Sequence, residues 1–189
     1  IKNVIYWGQQ VNLQLPEKII FSMYKDVLKD WTFLDLGVGG GRTTLYFAPY
    51  VKKYIGVDIA PEMIKYCKKR FDHLSKDITF QIKDASNLST FEDNTFDFVF
   101  FSFNGIDYMD IEERNNFLKE VKRITKQNGV LAYSSHNLNM IHQYYENNSF
   151  FKIGTNIKMM IKNIVWNYKI RKFNPDHISL QKKDWIFYN

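Results

Sequence analysis

Short apolar runs and amphipathic segments alternate along the first 136 residues of the chain. The apolar runs predict buried strands, and most segments between them carry apolar residues at helical spacing. The predicted strands cover residues 33–36, 54–57, 78–82, 96–102 and 130–134, and the predicted helices cover residues 16–30, 42–50, 61–71 and 110–125. Pro16 and Pro61 lie where the first turn of a helix accepts proline.

Five strands that are mostly separated by helices predict parallel crossover connections. We therefore expect an α/β fold: a doubly wound, mostly parallel, Rossmann-like sheet with helices on both faces. We expect one domain, residues 1–189, with its core at about residues 16–136. Ligands bind such sheets at the carboxyl ends of the strands, so the residues that follow each strand are the candidates for a site.

The pattern changes after residue 136. Residues 155–172 predict one long helix with an apolar side and a basic side, and residues 178–180 and 185–188 predict short strands. We expect a basic helical insertion, or lid, at about residues 137–175 after the fifth strand, and an incomplete C-terminal hairpin. Because the chain begins at Ile1 rather than at Met, we also expect that its beginning has been cut.

Composition narrows the class of protein further. Aromatic residues make up 17% of the chain, which is enough for a full core and a lined pocket. No apolar run approaches the ~18 residues of a membrane-spanning helix, and no signal-peptide pattern is present, so we expect a cytoplasmic protein without a membrane span. The single cysteine, Cys67, excludes an intrachain disulfide and a multi-cysteine metal site, and we predict no metal.

The glycine-rich loop after the first predicted strand is the main candidate for ligand binding. It extends from Asp35 to Arg42 and reads DLGVGGGR. Glycines let the backbone approach a ligand closely, and the helix that follows offers free N–H groups. A dinucleotide fingerprint needs G-x-G-x-x-G, but Arg42 occupies the position of the third glycine. In addition, the carboxylate of Asp35 would not stabilise an anionic pyrophosphate.

S-Adenosylmethionine suits these charges better than a dinucleotide. It has no phosphate and carries a positive sulfonium and a positive ammonium, which a nearby carboxylate stabilises. Asp58 follows the second strand, where it can accept both ribose hydroxyls, and Asp84 follows the third, where it can accept from an adenine amino group. A glycine turn or a strand-end Asp is, taken alone, as often purely structural. The three acids in this order together predict a site for S-adenosylmethionine.

The motifs resemble those of the class I S-adenosylmethionine-dependent methyltransferases of the small type 11 kind. The resemblance covers residues 33–135, about half of the chain. It rests on FLDLGVGGGRT, GVDIAPEMI, IKDASNLS, FDFVFFSFN and FLKEVKRITKQNGVLAYSS, which occur in the order of the family. It implies a methyltransferase that uses S-adenosylmethionine and releases S-adenosylhomocysteine.

The resemblance also implies a role for individual residues. The methionine portion of the cofactor would be held by Asp35, Gly37 and Gly39, and the ribose by Asp58. The adenine would be flanked by Ile59 and Met63 and contacted at its edge by Asp84 and Ala85, and the sulfonium and methyl exit would be lined by Phe103 and Asn104. Met63 is, on pattern alone, a core residue.

The end of the chain departs from the pattern of the family. The family's sheet normally closes with an antiparallel sixth and seventh strand, often with a Gly-Phe between them. No glycine follows Gly154 in this chain. The departure affects the floor of the substrate pocket more than the cofactor site.

Methyl transfer from a sulfonium requires alignment of acceptor and methyl within ~3–3.5 Å, and a hydroxyl or ammonium acceptor also requires a base. His136, just after the fifth predicted strand, is the first candidate, because an imidazole titrates near neutrality. A surface or hydrogen-bonding histidine is the alternative. Weaker candidates for the base are His142, Tyr108 and Asp107.

The distribution of charge suggests the kind of acceptor. The net charge is +6, and residues 1–150 carry equal numbers of basic and acidic residues, so the whole excess lies in residues 151–189. We predict transfer to an O or N of a small anionic metabolite, with a sugar-linked acceptor as one form, that this segment attracts. A solvated helix face is the structural alternative.

Three other functions remain open. An RNA or DNA methyltransferase would use residues 151–189 to contact phosphates. A non-catalytic module would bind the cofactor or a partner without turnover. A nicotinamide oxidoreductase is disfavoured by Asp35 and Arg42. The sequence does not predict the oligomeric state.

Overall fold

The computed structural model describes residues 8–74 and 77–136. The chain divides into two compact units, Ile1–Ser135 and His136–Asn189, and only His136 of the second unit is among the described residues. Within its described residues, the first unit contains four α-helices: α1 (Leu15–Tyr24), α2 (Thr44–Phe47), α3 (Pro61–Arg70) and α4 (Ile111–Ile124). The strands of the same described residues are β1 (Thr32–Leu36), β2 (Lys53–Asp58), β3 (Ile78–Ile82), β4 (Phe96–Phe101) and β5 (Thr125–Tyr133).

The strands form one parallel sheet in the order β3-β2-β1-β4-β5. The chain moves outward from β1 to β3, returns to β4 beside β1, and then continues to β5. The switch point therefore lies between β1 and β4, at the carboxyl ends of the central strands. The predicted α/β class and its parallel Rossmann-like sheet are confirmed. The predicted lid and the C-terminal hairpin lie outside the described residues.

Each face of the sheet has its own hydrophobic core. One core is aromatic: the ring of Phe33 on β1 stacks at 5.0 Å from that of Phe98 and at 5.6 Å from that of Tyr54. The other core is mostly aliphatic and packs β1, β2 and β4 against Phe117 and Val121 of α4. With helices on both faces, the sheet is buried as a parallel sheet requires.

Helix α1 is shorter than the predicted helix 16–30. It ends at Tyr24, and residues 28–30 form a separate helical turn. The side that packs carries Phe21 and Tyr24, whose rings contact Phe47 and Phe98, whereas Ile19 and Met23 are exposed. Aromatic rings bury more apolar area than aliphatic side chains, and this decides which side faces the sheet.

The other differences concern the ends of elements. The predicted helix 42–50 is the short helix α2 followed by a turn at Ala48–Tyr50. β5 begins directly after α4, at Thr125 rather than at residue 130, and an irregularity between Phe96 and Phe98 of β4 accommodates the extra length. Within the described residues, no helix is long and apolar enough to cross a membrane.

Candidate functional site

The glycine loop leaves the carboxyl end of β1 and turns back over the sheet. Gly37, Gly39 and Gly41 have φ values of +66°, +53° and +78°, which residues other than glycine rarely adopt. The loop is tied to the neighbouring strand, because the backbone N–H of Val38 donates to the carbonyl of Val57 at 2.9 Å. The turn therefore needs its glycines for backbone conformation, whatever it binds.

A cavity of about 570 Å³ opens at this end of the sheet. It is lined by the glycine loop, by the residues that follow β2, by the residues that follow β4, and by Gln10 from the segment before α1. Its position at the switch point is where open α/β sheets bind their ligands. Its volume is within the usual ~300–1,000 Å³ range of ligand pockets.

Asp58 joins the end of β2 to the glycine loop. Its Oδ2 accepts from the backbone N–H of Gly39 at 2.8 Å, and its Oδ1 accepts from that of Ala60 at 2.9 Å. Each oxygen therefore keeps a lone pair for another donor. Asp58, Gly39 and Ala60 all line the cavity, so the carboxylate is held rigidly at its wall.

Asp35 lies beneath the loop rather than at the cavity wall. Its side chain is buried, with 1% of the residue exposed, and its Oδ2 accepts from the hydroxyls of Thr43 and Tyr54. Burial raises the pKa of Asp35 to about 7, although the two hydroxyls act in the opposite direction. The structure thus separates Asp35 from the cavity by the loop itself, and Thr43 is the partner that reaches the lining.

The residues that follow β4 form the far wall of the cavity. Phe103 and Asn104 both have left-handed backbone conformations, with φ values of +59° and +61°. Consecutive non-glycine residues in this region store strain, which is typical of functional loops. Two serines after β5 hold the loop: Ser134 Oγ accepts from the N–H of Asn104 at 2.8 Å, and Ser135 Oγ donates to Asp107 at 2.6 Å.

Half of the ten cofactor residues expected from the sequence line the cavity, and the others do not. Those that line it are Gly37, Gly39, Asp58, Met63 and Phe103. Besides Asp35, four lie outside the lining: Ile59, Asp84, Ala85 and Asn104.

These four residues lie at the same end of the sheet but are oriented by local structure. Ile59 is 67% exposed, and Asp84 accepts at 2.8 Å from both the N–H and the hydroxyl of Ser86 in its own turn. Ala85 packs against the aliphatic core. Their assignments to the adenine and the methyl exit remain predictions, as does that of His136, an exposed residue of the second unit.

Sequence reasoning missed several lining residues. Arg42 and Thr43 directly follow Gly41, and Glu62 lies one residue before the predicted Met63. Tyr108, which is 88% exposed, is predicted from the sequence only as a candidate base, and Gln10 belongs to a segment without any motif. Arg42 did carry a signal, because it breaks the dinucleotide pattern at a position that faces a ligand.

A parallel sheet of this order, with a glycine loop after its first strand and a rigid acid after its second, defines an α/β domain that binds a nucleoside-like ligand. A family model described as "Methyltransferase domain" matches residues 33–129, just over half of the chain. The chain therefore belongs to the methyltransferase domain family, and the resemblance drawn from the motifs is confirmed. The family supports S-adenosylmethionine as the cofactor.

Named relatives agree with this assignment. The uncharacterized methyltransferase YcgJ of Bacillus subtilis is 32% identical over 104 residues, which cover 54% of this chain and 40% of that protein. The phthiotriol/phenolphthiotriol dimycocerosates methyltransferase of Mycobacterium leprae is 36% identical over 104 residues, covering 52% and 34%. This chain thus matches well under half of the length of either protein.

Among solved structures, a SAM dependent methyltransferase from Aquifex aeolicus superposes with a TM-score of 0.60. It is 25% identical, and the match covers 72% of this chain and 73% of that one. No group of three or more potential metal ligands occurs among the residues that the structure describes.

Proposed function

We propose that this chain binds S-adenosylmethionine in the cavity at the switch point and transfers its methyl group to an oxygen or nitrogen of a small acceptor. The observation that carries the proposal is the hydrogen bond from Gly39 to Asp58, which joins the loop and the acid at one wall of the cavity. A loop that presents backbone beside a rigid carboxylate suits a cationic nucleoside better than a phosphate.

The residues present fit the cofactor. A Cβ built on Gly39 would meet only the carbonyl of Gly37, at 3.9 Å, so the loop leaves open space beside Asp58. Asp58 would accept the two ribose hydroxyls with its remaining lone pairs, and Met63 would pack against the adenine. Phe103 would line the methyl exit. The predicted contacts with the adenine and the methyl exit by four residues outside the lining would require side-chain movement or a bridging water; these residues are Ile59, Asp84, Ala85 and Asn104.

When bound, the cofactor supplies an electrophilic methyl group and a neutral thioether leaving group. The chain would align the acceptor with the methyl group. The loop after β4, which carries Phe103 and is fixed by Ser134 and Ser135, would form the wall against which the acceptor is positioned. The cofactor, held by Gly37, Gly39 and Asp58, would supply the methyl carbon to the acceptor lone pair, and its sulfur would take up the electrons of the broken carbon–sulfur bond. An acceptor that carries a proton releases it to a base, for which His136 is our candidate.

The acceptor we propose is a small anionic metabolite, with a sugar-linked one as a specific form. The support is the net charge of +6, which lies entirely in residues 151–189. Such a charge raises the local concentration of an anion and the rate of association. The described part of the cavity adds the aromatic faces of Phe103 and Tyr108, on which a ring can stack.

The test of the proposal uses the full chain. Titration calorimetry should show binding of S-adenosylhomocysteine and no binding of NAD. Incubation with cofactor labelled in its methyl group and a metabolite extract should give a labelled product. Binding without any labelled product would favour a non-catalytic module, and preference for NAD would refute the proposal.

Replacing Asp58 by alanine should weaken the binding of S-adenosylhomocysteine by about 1–3 kcal/mol, the range for a hydrogen bond to a charged acceptor. The variant loses the ribose acceptor, the hydrogen bond that holds the glycine loop at Gly39, and the hydrogen bond to the N–H of Ala60. Calorimetry at matched temperature gives the affinity, and Asp93→Ala, a surface acid paired with Arg123, is the control. An unchanged affinity would reject the ribose role of Asp58.

The second candidate function is an RNA or DNA methyltransferase, favoured by the concentration of basic residues at 151–189. Binding of a generic RNA should then weaken steeply with salt, with a slope that reflects several phosphate contacts. Absence of binding at low salt would exclude this function.

A further inference from the structure

Helix α1 carries a row of exposed apolar side chains on the side that faces away from the sheet. Leu15 is 71% exposed, Ile19 53% and Met23 68%. Val27, in the turn that follows the helix, is 47% exposed. These residues recur at every fourth position, which aligns them along one side of a helix. We call Leu15, Ile19, Met23 and Val27 the α1 stripe.

The opposite side of α1 fixes the stripe in position. The ring of Phe21 lies 5.3 Å from that of Phe47 in the aromatic core, and Glu17 forms a buried ion pair with Arg42. A surface that is already ordered loses little conformational entropy when a partner binds to it. The α1 stripe is therefore a preformed surface rather than a loose apolar segment.

The area of the stripe is large for a surface that stays in contact with water. The exposed area of its four residues is about 500 Å² in one copy, in the upper part of the ~300–600 Å² range for the largest apolar patch of a monomer. Two copies packed stripe to stripe would bury about 1,000 Å² from these residues alone, which is the lower limit for a specific protein interface. The area therefore suits a weak dimer.

The charges beside the stripe complement a second copy of the same helix. Lys18 lies three residues after Leu15, near the start of the stripe, and Asp26 lies one residue before its end. Both are exposed, and neither has an ion-pair partner among the described residues. Two α1 helices that pack antiparallel would place Ile19 of each copy opposite Met23 of the other. The same two-fold axis would bring Lys18 of each copy within reach of Asp26 of the other.

We propose that the α1 stripe is a self-association surface, on which a second copy of this chain packs its own α1 antiparallel to form a two-fold dimer. A two-fold interface uses the same surface on both copies, so the surface must complement itself. An apolar stripe with Lys18 near one end and Asp26 near the other meets this requirement, whereas Asp26 opposes contact with an anionic lipid surface. The proposal does not depend on the proposed function, because no stripe residue lines the cavity.

Sedimentation velocity of the full chain measures the association. Between about 1 and 100 µM we expect the sedimentation coefficient to rise from that of a monomer to that of a dimer, with a dissociation constant in the micromolar range. Met23→Glu places a charge inside the interface of each copy and should raise the dissociation constant at least about tenfold. Because Met23 is exposed in one copy, the circular dichroism spectrum should not change. Ile111→Glu, at an exposed apolar residue of α4 outside the stripe, should change the dissociation constant less than about twofold.

Reversal of the two charges tests the antiparallel arrangement, and it carries the test should Met23→Glu not fold. Lys18→Glu should raise the dissociation constant about 3- to 10-fold, because each dimer would then contain two repelling pairs. Asp26→Lys should have an effect of the same size for the same reason. The double variant that combines both changes restores opposite charges, and its dissociation constant should return to within about twofold of that of the unmodified chain.

Several outcomes would overturn the proposal. One is a chain that stays monomeric up to about 100 µM, and another is a dimer whose dissociation constant is the same in Met23→Glu, since its interface would then lie elsewhere. Weakening by both single charge variants without recovery in the double variant would reject the antiparallel dimer. A monomer that binds vesicles of phosphatidylcholine and phosphatidylserine, and loses this binding in Met23→Glu, would show that the stripe contacts lipid instead. Binding of S-adenosylhomocysteine tests the proposed function separately from all of these.

Discussion

Replacing Gly41 by alanine is expected to lower the free energy of unfolding by about 2–5 kcal/mol, from the costs of overpacking a buried ring and of a side chain in the left-handed region. A Cβ on Gly41 would lie 2.9 Å from Cζ of Phe71, closer still to Cε2, and 3.3 Å from Sγ of Cys67. Phe71 is stacked on Phe80 at 5.6 Å in the core, so it has little freedom to move. Urea unfolding followed by circular dichroism measures the loss.

The matched variant is Gly39→Ala, which has the same kind of backbone but open space around its Cβ. We expect it to cost only about 1 kcal/mol of stability, from the left-handed conformation. Because Gly39 lines the cavity, the added methyl should nevertheless weaken binding of S-adenosylhomocysteine.

The contrast between the two glycines can be checked further with a second-site change. Phe71→Leu in the Gly41→Ala background should recover part of the lost stability, since a smaller side chain makes room for the methyl. Equal losses of stability for Gly39→Ala and Gly41→Ala, or no recovery with Phe71→Leu, would contradict the packing argument.

The part of the site that the sequence predicts is the part fixed by backbone. Gly37 and Gly39 are recognisable because the turn after β1 needs residues that adopt a positive φ. Asp58 is recognisable because it lies at the end of β2, where its carboxylate accepts from backbone N–H groups. Asp84 obeys the same rule of position, yet it bonds to Ser86 in its own turn. Position along the chain specifies which end of the sheet a residue occupies, but side-chain direction depends on neighbours that no short motif encodes.

Tertiary contacts also explain what the apolar pattern missed. Ile19 and Met23 have helical spacing, but the packed side of α1 is decided by the partners of Phe21 on α2. The same packing brings Glu17 against Arg42, 25 residues further along the chain. A buried pair of this kind leaves no local periodicity, so the sequence alone does not indicate it.

Asp35 should make the stability of this protein decrease as the pH rises from about 4 to about 7. The native state holds the proton up to a pKa of about 7, because burial penalises the carboxylate, whereas the ordinary pKa is 3.8. Between these values the native state binds more protons than the unfolded chain. The free energy of unfolding therefore falls by about 4 kcal/mol over this pH range. Asp35→Asn, which keeps an acceptor oxygen for Thr43 and Tyr54, should lose this dependence.

The measurement is the difference in free energy of unfolding between the two proteins from pH 4.5 to 8.5, in which other titrating groups cancel. We expect the difference to shift in favour of Asp35→Asn as the pH rises and to level off above pH 7, where Asp35 is ionised in both states. A difference that does not depend on pH would mean that Asp35 is ionised in the native state throughout.

A cationic cofactor would also favour the ionised form of Asp35 beneath the loop. Binding of S-adenosylmethionine near pH 6.5 should therefore release a proton. Binding of S-adenosylhomocysteine, which lacks the sulfonium, should release less.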